Sequence, residues 1–288
     1  MSDIAQGAAP VGRGTAFGPL FYVSILFVAV LLVVAVASPL LAPADPTEQE
    51  LDKRFLPPGR EGHVLGTDDF GRDVLSRVMY GAQSALLVGI VAVSVALVVG
   101  LIIGLAAGLA EGILDNGLML IMDGVLSFPT VLLAITVVSV FGYGLLQVMI
   151  ALGIIFSPLF ARTVRAETLA IKAEAYVESS RALGTALWRT VALHIIPNML
   201  PKVIVLASTT FALSVAIEAS LSYLGLGTQP PEPSWGLMLK DARGYLSNAP
   251  WLAIYPGLAI ALTVFSFNVI GDTLSEQLNP TLRRRDKG

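Results

Sequence analysis

Residues 84–110 read SALLVGIVAVSVALVVGLIIGLAAGLA, 27 consecutive positions without a charged side chain. A helix rises about 1.5 Å per residue, so roughly 20 apolar residues cross the ~30 Å hydrocarbon core of a bilayer. In lipid the backbone amides have no water to bond, and a helix satisfies them internally. The stretch therefore predicts a membrane-spanning helix. Gly100, Gly104, Gly108 and Gly112 recur at every fourth position, which lays a glycine groove along one face where a second helix can approach closely.

The rest of the chain agrees. It has 288 residues, of which 55% are hydrophobic and 14% charged, and its mean hydropathy is +0.77. Soluble domains carry about 25% charged residues, so lipid is the expected solvent. A net charge of −3 gives no basis for a nucleic-acid partner. With no Cys, disulfides, thiolate metal sites and thiol nucleophiles are excluded. His63 and His194 are the only two histidines; far apart, they are expected as surface or interface residues, and no metal site is expected.

Apolar runs predict five further spans, at about 20–41, 118–141, 145–161, 203–224 and 251–270. A secretory leader competes for the first. Its basic flank is only Arg13 and no convincing small-x-small cleavage site precedes Pro43, so it reads as a retained helix. Residues 124–161 lack charge entirely and are too long for one helix, and Gly142-Tyr143-Gly144 is the natural break. Pro129 and Pro158 are expected to kink their helices. The fold class expected is all-α: a polytopic membrane protein with six transmembrane helices.

Basic residues set orientation. Arg13, Arg162, Arg165, Lys172, Arg181, Arg189, Lys202, Arg283, Arg284, Arg285 and Lys287 fall on one side, 11 of the 18. Lys53, Arg54, Arg60, Arg72, Arg77, Lys240 and Arg243 fall on the other. Both termini are thus expected in the cytoplasm. This divides the chain into a cytoplasmic N-terminus (1–19), a first transmembrane helix (20–41), an outer loop (42–83), a five-helix domain (84–273) and a cytoplasmic tail (274–288). In the outer loop, Thr67, Asp68 and Asp69 offer N-caps to a surface helix carrying Val74, Leu75, Val78 and Met79 on one face. In a second outer loop, three prolines within positions 230–233 exclude a helix and favour a stiff cover.

One long polar stretch, 166–202, interrupts the apolar pattern. Leu169, Ala173, Tyr176, Ser180 and Leu183 mark a helical stripe. Gly184 supplies a left-handed C-terminal residue, Thr185 can cap a second helix bearing Leu187, Val191 and Ile195, and Pro197 is expected to stop it. A helix–glycine–helix hairpin outside the membrane could pack on its own bundle or plug a groove on a soluble partner.

Tyr176-Val177-Glu178-Ser179-Ser180-Arg181-Ala182-Leu183-Gly184, followed by His194-Ile195-Ile196-Pro197-Asn198, resembles the EAA loop of ABC importer permeases. Three other segments resemble the dipeptide, oligopeptide and nickel branch of that family, its C-type permease subunit in particular. They are 65–73 (LGTDDFGRD), 218–227 (EASLSYLGLG) with the following PPEPSWG, and 268–272 (NVIGD). The resemblance covers about residues 17–280. It implies a type I importer permease fold in a bacterial inner membrane. It also implies docking of two ATP-binding subunits on Glu178, Ser179, Ser180, Ala182, Gly184 and Pro197. Partners implied are a second, non-identical permease subunit making a heterodimer and an extracytoplasmic substrate-binding protein. Di- or oligopeptides are the implied cargo; nickel, glutathione and oligosaccharides stay open as alternatives.

No lysine follows a glycine, so no phosphate-binding Gly-Lys loop is present. This chain is expected to be non-catalytic and to bind no cofactor, with ATP and Mg on partner subunits. Asp123 and Glu218 sit in apolar runs, where a carboxylate either lines an aqueous path or pairs at an interface. A stand-alone secondary transporter would show internal repeats, and no such symmetry is found. An intramembrane hydrolase would need clustered catalytic groups, and none cluster here.

Overall fold

The computed structural model describes residues 18–278 except 111, and not the side chain of Arg181. The expected cytoplasmic location of Arg13 and of the basic tail at 283–287 falls outside the described residues. Among the described residues ten α-helices follow one another: α1 (Pro19–Leu41), α2 (Val74–Ala110), α3 (Gly112–Leu126), α4 (Thr130–Phe141), α5 (Leu145–Lys172), α6 (Ala175–Ala182), α7 (Leu187–Thr190), α8 (Ile196–Tyr223), α9 (Trp235–Ala242) and α10 (Trp251–Leu278). Among the described residues only two isolated bridges, Arg60–His63 and Thr67–Asp73, have β geometry. The protein is all-α, as the sequence predicts.

Five helical stretches are long and apolar enough to cross a membrane: α1, α2, α5, the continuous run Leu187–Tyr223, and α10. Helices α3 and α4 meet at 92°. This corrects the straight third span expected over 118–141. Pro129 has no N–H to continue the helix and keeps Phe128 out of helical geometry, while the Ser127 hydroxyl takes up the Gly124 carbonyl at 2.6 Å. At 15 and 12 residues, neither half alone reaches the ~20 a crossing needs; counted as one crossing, the bent pair makes six.

Helix α2 packs along α5 over most of its length, and the glycines explain how. A Cβ on Gly100 would stand 2.4 Å from Phe160 Cβ, and one on Gly104 2.6 Å from the Ala161 carbonyl oxygen. From the other helix, Gly153 admits Val95, which would lie 2.5 Å from an added Cβ. Gly112 does not extend the groove. It has φ +68° with nothing within 4 Å, and so marks the break between α2 and α3.

Two more expectations are corrected near α2. The surface helix foreseen in the outer loop is the first part of α2 itself, which runs unbroken from Val74 for 37 residues. No proline interrupts it, and Gly81 is used for packing against the Trp235 ring. Its cap is Asp73, whose Oδ2 accepts from Ser76 N at 2.7 Å, not residues 67–69. His63 is not at the surface: it is buried, with Nδ1 2.9 Å from Asp73 Oδ1.

The loop before α2 and the segment around α9 form a close-packed layer on one end of the bundle. Trp235, the largest fully buried side chain, donates its Nε1–H to the Val78 carbonyl at 2.9 Å. The Trp251 indole reaches the Thr67 carbonyl, and the Arg77 guanidinium donates to Pro46 O at 2.9 Å. Residues 229–234 contain no helix, as their prolines require, and Ser234 caps α9 by accepting from Leu237 N. The opposite end of the bundle carries the hairpin.

Candidate functional site

The hairpin grows out of α5, which continues to Lys172, well past the end expected at 161. A turn at Ala173–Glu174 then separates it from α6, so the single helix foreseen over Leu169–Leu183 is two. Among the described side chains of α6 only Val177 is fully buried, joining Ile171, Ile195 and Met199 in the main core cluster. The face opposite carries Glu178, Ser179, Ala182 and Leu183 to solvent, Leu183 at 88% exposure. Leu183 was expected on the packing stripe with Tyr176, and the break at 173 rotates it outward.

Gly184 ends α6 with φ +81°, the left-handed geometry that favours glycine. Thr185 does not cap the second helix. Its hydroxyl is taken by Ser180 at 3.0 Å, and Ala186 stands at the cap with no side-chain bond. Nor does Pro197 stop that helix. A π turn at Val191–Ile195 precedes α8, and the widened turn absorbs the missing N–H of Pro197. The Asn198 amide donates to the His194 carbonyl at 2.6 Å. The result is continuous helix from Leu187 to Tyr223, which joins the hairpin to a membrane-length helix without a break.

Of the six residues expected to dock a partner, Glu178, Ser179, Ala182 and Gly184 cluster on the exposed tip; Pro197 is exposed at the start of α8. Ser180 is half-buried and serves the corner. Sequence reasoning missed Trp188, 67% exposed beside Leu187 at 55%, with the Arg189 guanidinium 5.4 Å from its ring centroid. An exposed tryptophan next to a glycine corner in a polar loop was the available signal.

The base of the hairpin is tied to its neighbours. Lys202 of α8 pairs with Glu167 of α5. Arg165 of α5 forms a two-nitrogen pair with Asp115 of α3, and Lys172 donates to the Gly108 carbonyl of α2 at 3.2 Å. Tyr176 meets His194 edge-on at 5.6 Å between ring centroids. These contacts join the base of the hairpin to α2, α3, α5 and α8.

Asp123 pairs with Arg162, both half-exposed. Glu218 is buried at 1% exposure and accepts from the Ser222 hydroxyl at 2.6 Å, which itself accepts from Thr228 N at 3.1 Å. Glu218 thus fastens the end of α8 to the turn that follows it. Glu218 also bonds Ser234, so glutamine keeps one acceptor but sets an amide donor in place of the other, and the Ser234 hydroxyl already accepts from Leu237 N. Glu218→Gln is expected to lower stability by about 1–3 kcal/mol, read as a lower unfolding temperature of the purified chain in detergent.

Residues 100–284 match the family described as binding-protein-dependent transport system inner membrane component, and residues 18–58 match the N-terminal TM domain of oligopeptide transport permease C. The dipeptide transport system permease protein DppC of Alkalihalophilus pseudofirmus is 38% identical over 264 residues, spanning 92% of this chain and 86% of that protein. The glutathione transport system permease protein GsiD of Pectobacterium atrosepticum is 42% identical over 259 residues, 90% of this chain and 86% of that protein. Among solved structures, an inward-facing conformation of the MetNI methionine ABC transporter superposes with TM-score 0.58 at 20% identity. It covers 71% of this chain and 97% of the other; at that identity the likeness is one of fold.

Proposed function

The chain belongs to the family of binding-protein-dependent transport system inner membrane components, and from that premise we propose how this permease works and what it carries. It forms half of the path by which an ABC importer of a bacterial inner membrane admits di- or oligopeptides. A second, related permease subunit supplies the other half. Two ATP-binding subunits sit on the hairpin ends, holding the ATP and Mg, and an extracytoplasmic binding protein delivers peptide to the opposite end. Both termini and the hairpin are cytoplasmic. The dipeptide and glutathione cargo of the relatives, and the match of residues 18–58 to oligopeptide transport permease C, support a peptide.

The observation that carries this reading is the hairpin. Its exposed tip carries Leu183, Leu187 and Trp188 among polar residues, its corner is set by one left-handed glycine, and its base is tied to four membrane helices. Closure of the ATP-binding subunits changes the preferred position of α6, and the permease shifts between inward- and outward-facing states. Each ligand acts only through its differential affinity for those states. An exposed tryptophan at the centre of such a tip is the kind of anchor that dominates an interface. Trp188→Ala is therefore expected to weaken retention of the ATP-binding subunits about tenfold while the chain still inserts and folds. The check is titration of purified ATP-binding subunits onto the permease in nanodiscs. Peptide uptake by liposomes containing this chain alone would favour a stand-alone transporter instead.

A further inference from the structure

Two ion pairs join α3 to α5, and they are closed differently. At Asp115 each carboxylate oxygen takes one nitrogen of Arg165, Oδ1 from Nε and Oδ2 from Nη2 at 2.6 Å. At Asp123 a single oxygen takes both nitrogens of Arg162, Nε at 3.1 Å and Nη2 at 2.5 Å. Among the described residues nothing bonds Asp123 Oδ2 or Arg162 Nη1. Both side chains of this second pair stand open, at 52% and 51% exposure.

The open pair lies at membrane depth. Gly144, at the start of α5, donates its N–H to the Leu226 carbonyl at 3.3 Å, in the turn after α8 and away from the hairpin. Arg162 lies about 27 Å farther along α5 by helical rise, within the ~30 Å hydrocarbon core. The bend between α3 and α4 is also inside it. Helix α4 packs along α5 and has 12 residues, so its first turn lies about 18 Å from the same end. That turn has no side-chain cap, and its first backbone bond runs from Leu133 N to Pro129 O at 3.0 Å. The N–H groups of Thr130, Val131 and Leu132 are left open, and Ser127, Phe128 and Pro129 are exposed beside them.

Lipid satisfies neither feature. Irregular backbone and charge are tolerated at this depth only against protein or a water-filled cavity. A covering helix would strip water from Asp123 and Arg162 with one atom of each still unbonded, which is costly; water bonds both. Building on the importer reading above, we propose that this face of α3, α4 and α5 lines a water-filled path, and that the Asp123–Arg162 pair is a contact site for the charged ends of a passing peptide. Asp123 Oδ2 accepts from the peptide ammonium, and Arg162 Nη1 donates to the peptide carboxylate. Either end is met without opening the pair, so neither protein charge is left unmatched.

The test uses the assembled transporter with cysteine-free partner subunits. Gly124 is exposed beside Asp123, and an added Cβ there meets nothing within 4 Å. In nanodiscs, Gly124→Cys should react with a charged, water-soluble methanethiosulfonate about tenfold faster than Val33→Cys on the exposed face of α1, because the reactive thiolate needs water. In liposomes, the double variant Asp123→Asn/Arg162→Gln should carry about tenfold less dipeptide per ATP hydrolysed than wild type. Labelling Gly124→Cys within that variant checks that the bend still forms. Equal labelling at Gly124 and Val33 overturns the water path, and wild-type uptake per ATP in the double variant overturns the contact site. Absence of ATP-driven uptake by the wild-type transporter would sink the importer reading and the peptide contact with it, while the labelling would still decide the path.

Discussion

Gly184→Val is expected to abolish ATP-driven uptake, lowering it at least tenfold, while leaving the chain inserted and folded. At φ +81° an ordinary side chain costs roughly 1–2 kcal/mol, and a β-branched one more. No neighbour is struck, because an added Cβ would meet nothing within 4 Å. The strain is therefore relieved locally, by reshaping the corner between α6 and α7. That reshaping displaces Glu178, Ser179 and Ala182 relative to the Leu187–Trp188 segment, the surface on which we propose that the ATP-binding subunits dock. Uptake by reconstituted transporter measures the effect, and limited proteolysis of the permease shows whether the bundle is intact. Normal uptake would separate the corner from coupling.

The second large effect is on stability. Gly100→Leu is expected to cost about 3 kcal/mol or more, the upper end of core overpacking, and to prevent accumulation in the membrane. An added Cβ would lie 2.4 Å from Phe160 Cβ, 2.8 Å from Ser157 O and 2.9 Å from Ala161 N. Two of those three atoms are backbone, so no rotamer change can clear them. Helix α5 would have to move off α2, opening the largest interface in the protein. Gly117→Ala is the contrasting case. Gly117 lies in α3 with nothing within 4 Å, and the substitution should be neutral or stabilise by up to ~1 kcal/mol. The membrane yield of Gly100→Leu should therefore fall well below wild type, while the unfolding temperature of Gly117→Ala should equal or exceed it.

The features legible in the sequence are those decided by solvent and by single residues with special geometry. The length of apolar runs placed α1, α2, α5, α8 and α10, because burying backbone in lipid leaves helices as the economical solution. The four-residue glycine spacing located the α2–α5 contact, and Gly184 located the corner. What failed to show were the junctions. A proline reads as a helix end, yet at Pro197 a π turn carries the helix through, and at Pro129 it breaks the span by 92°. At both prolines a side chain takes up a nearby carbonyl, the Asn198 amide that of His194 and the Ser127 hydroxyl that of Gly124, and only at Pro197 does a π turn keep the helix continuous. The Asp73 cap was hidden behind three better-looking candidates at 67–69, of which Asp68 is committed to Arg72. The rotation of Leu183 outward depends on the turn at 173–174, which carries no glycine or proline to announce it.

We propose that ATP-binding subunits grip this permease at the hairpin tip. The chain has no cysteine of its own, so a single introduced one reports unambiguously. In the assembled transporter, Ala182→Cys should cross-link to an ATP-binding subunit carrying a cysteine in its exposed groove, with a yield that changes when ATP is trapped. Thr47→Cys, on the opposite end of the bundle, should give no such product. Cross-linking from Thr47 but not from Ala182 would contradict the account.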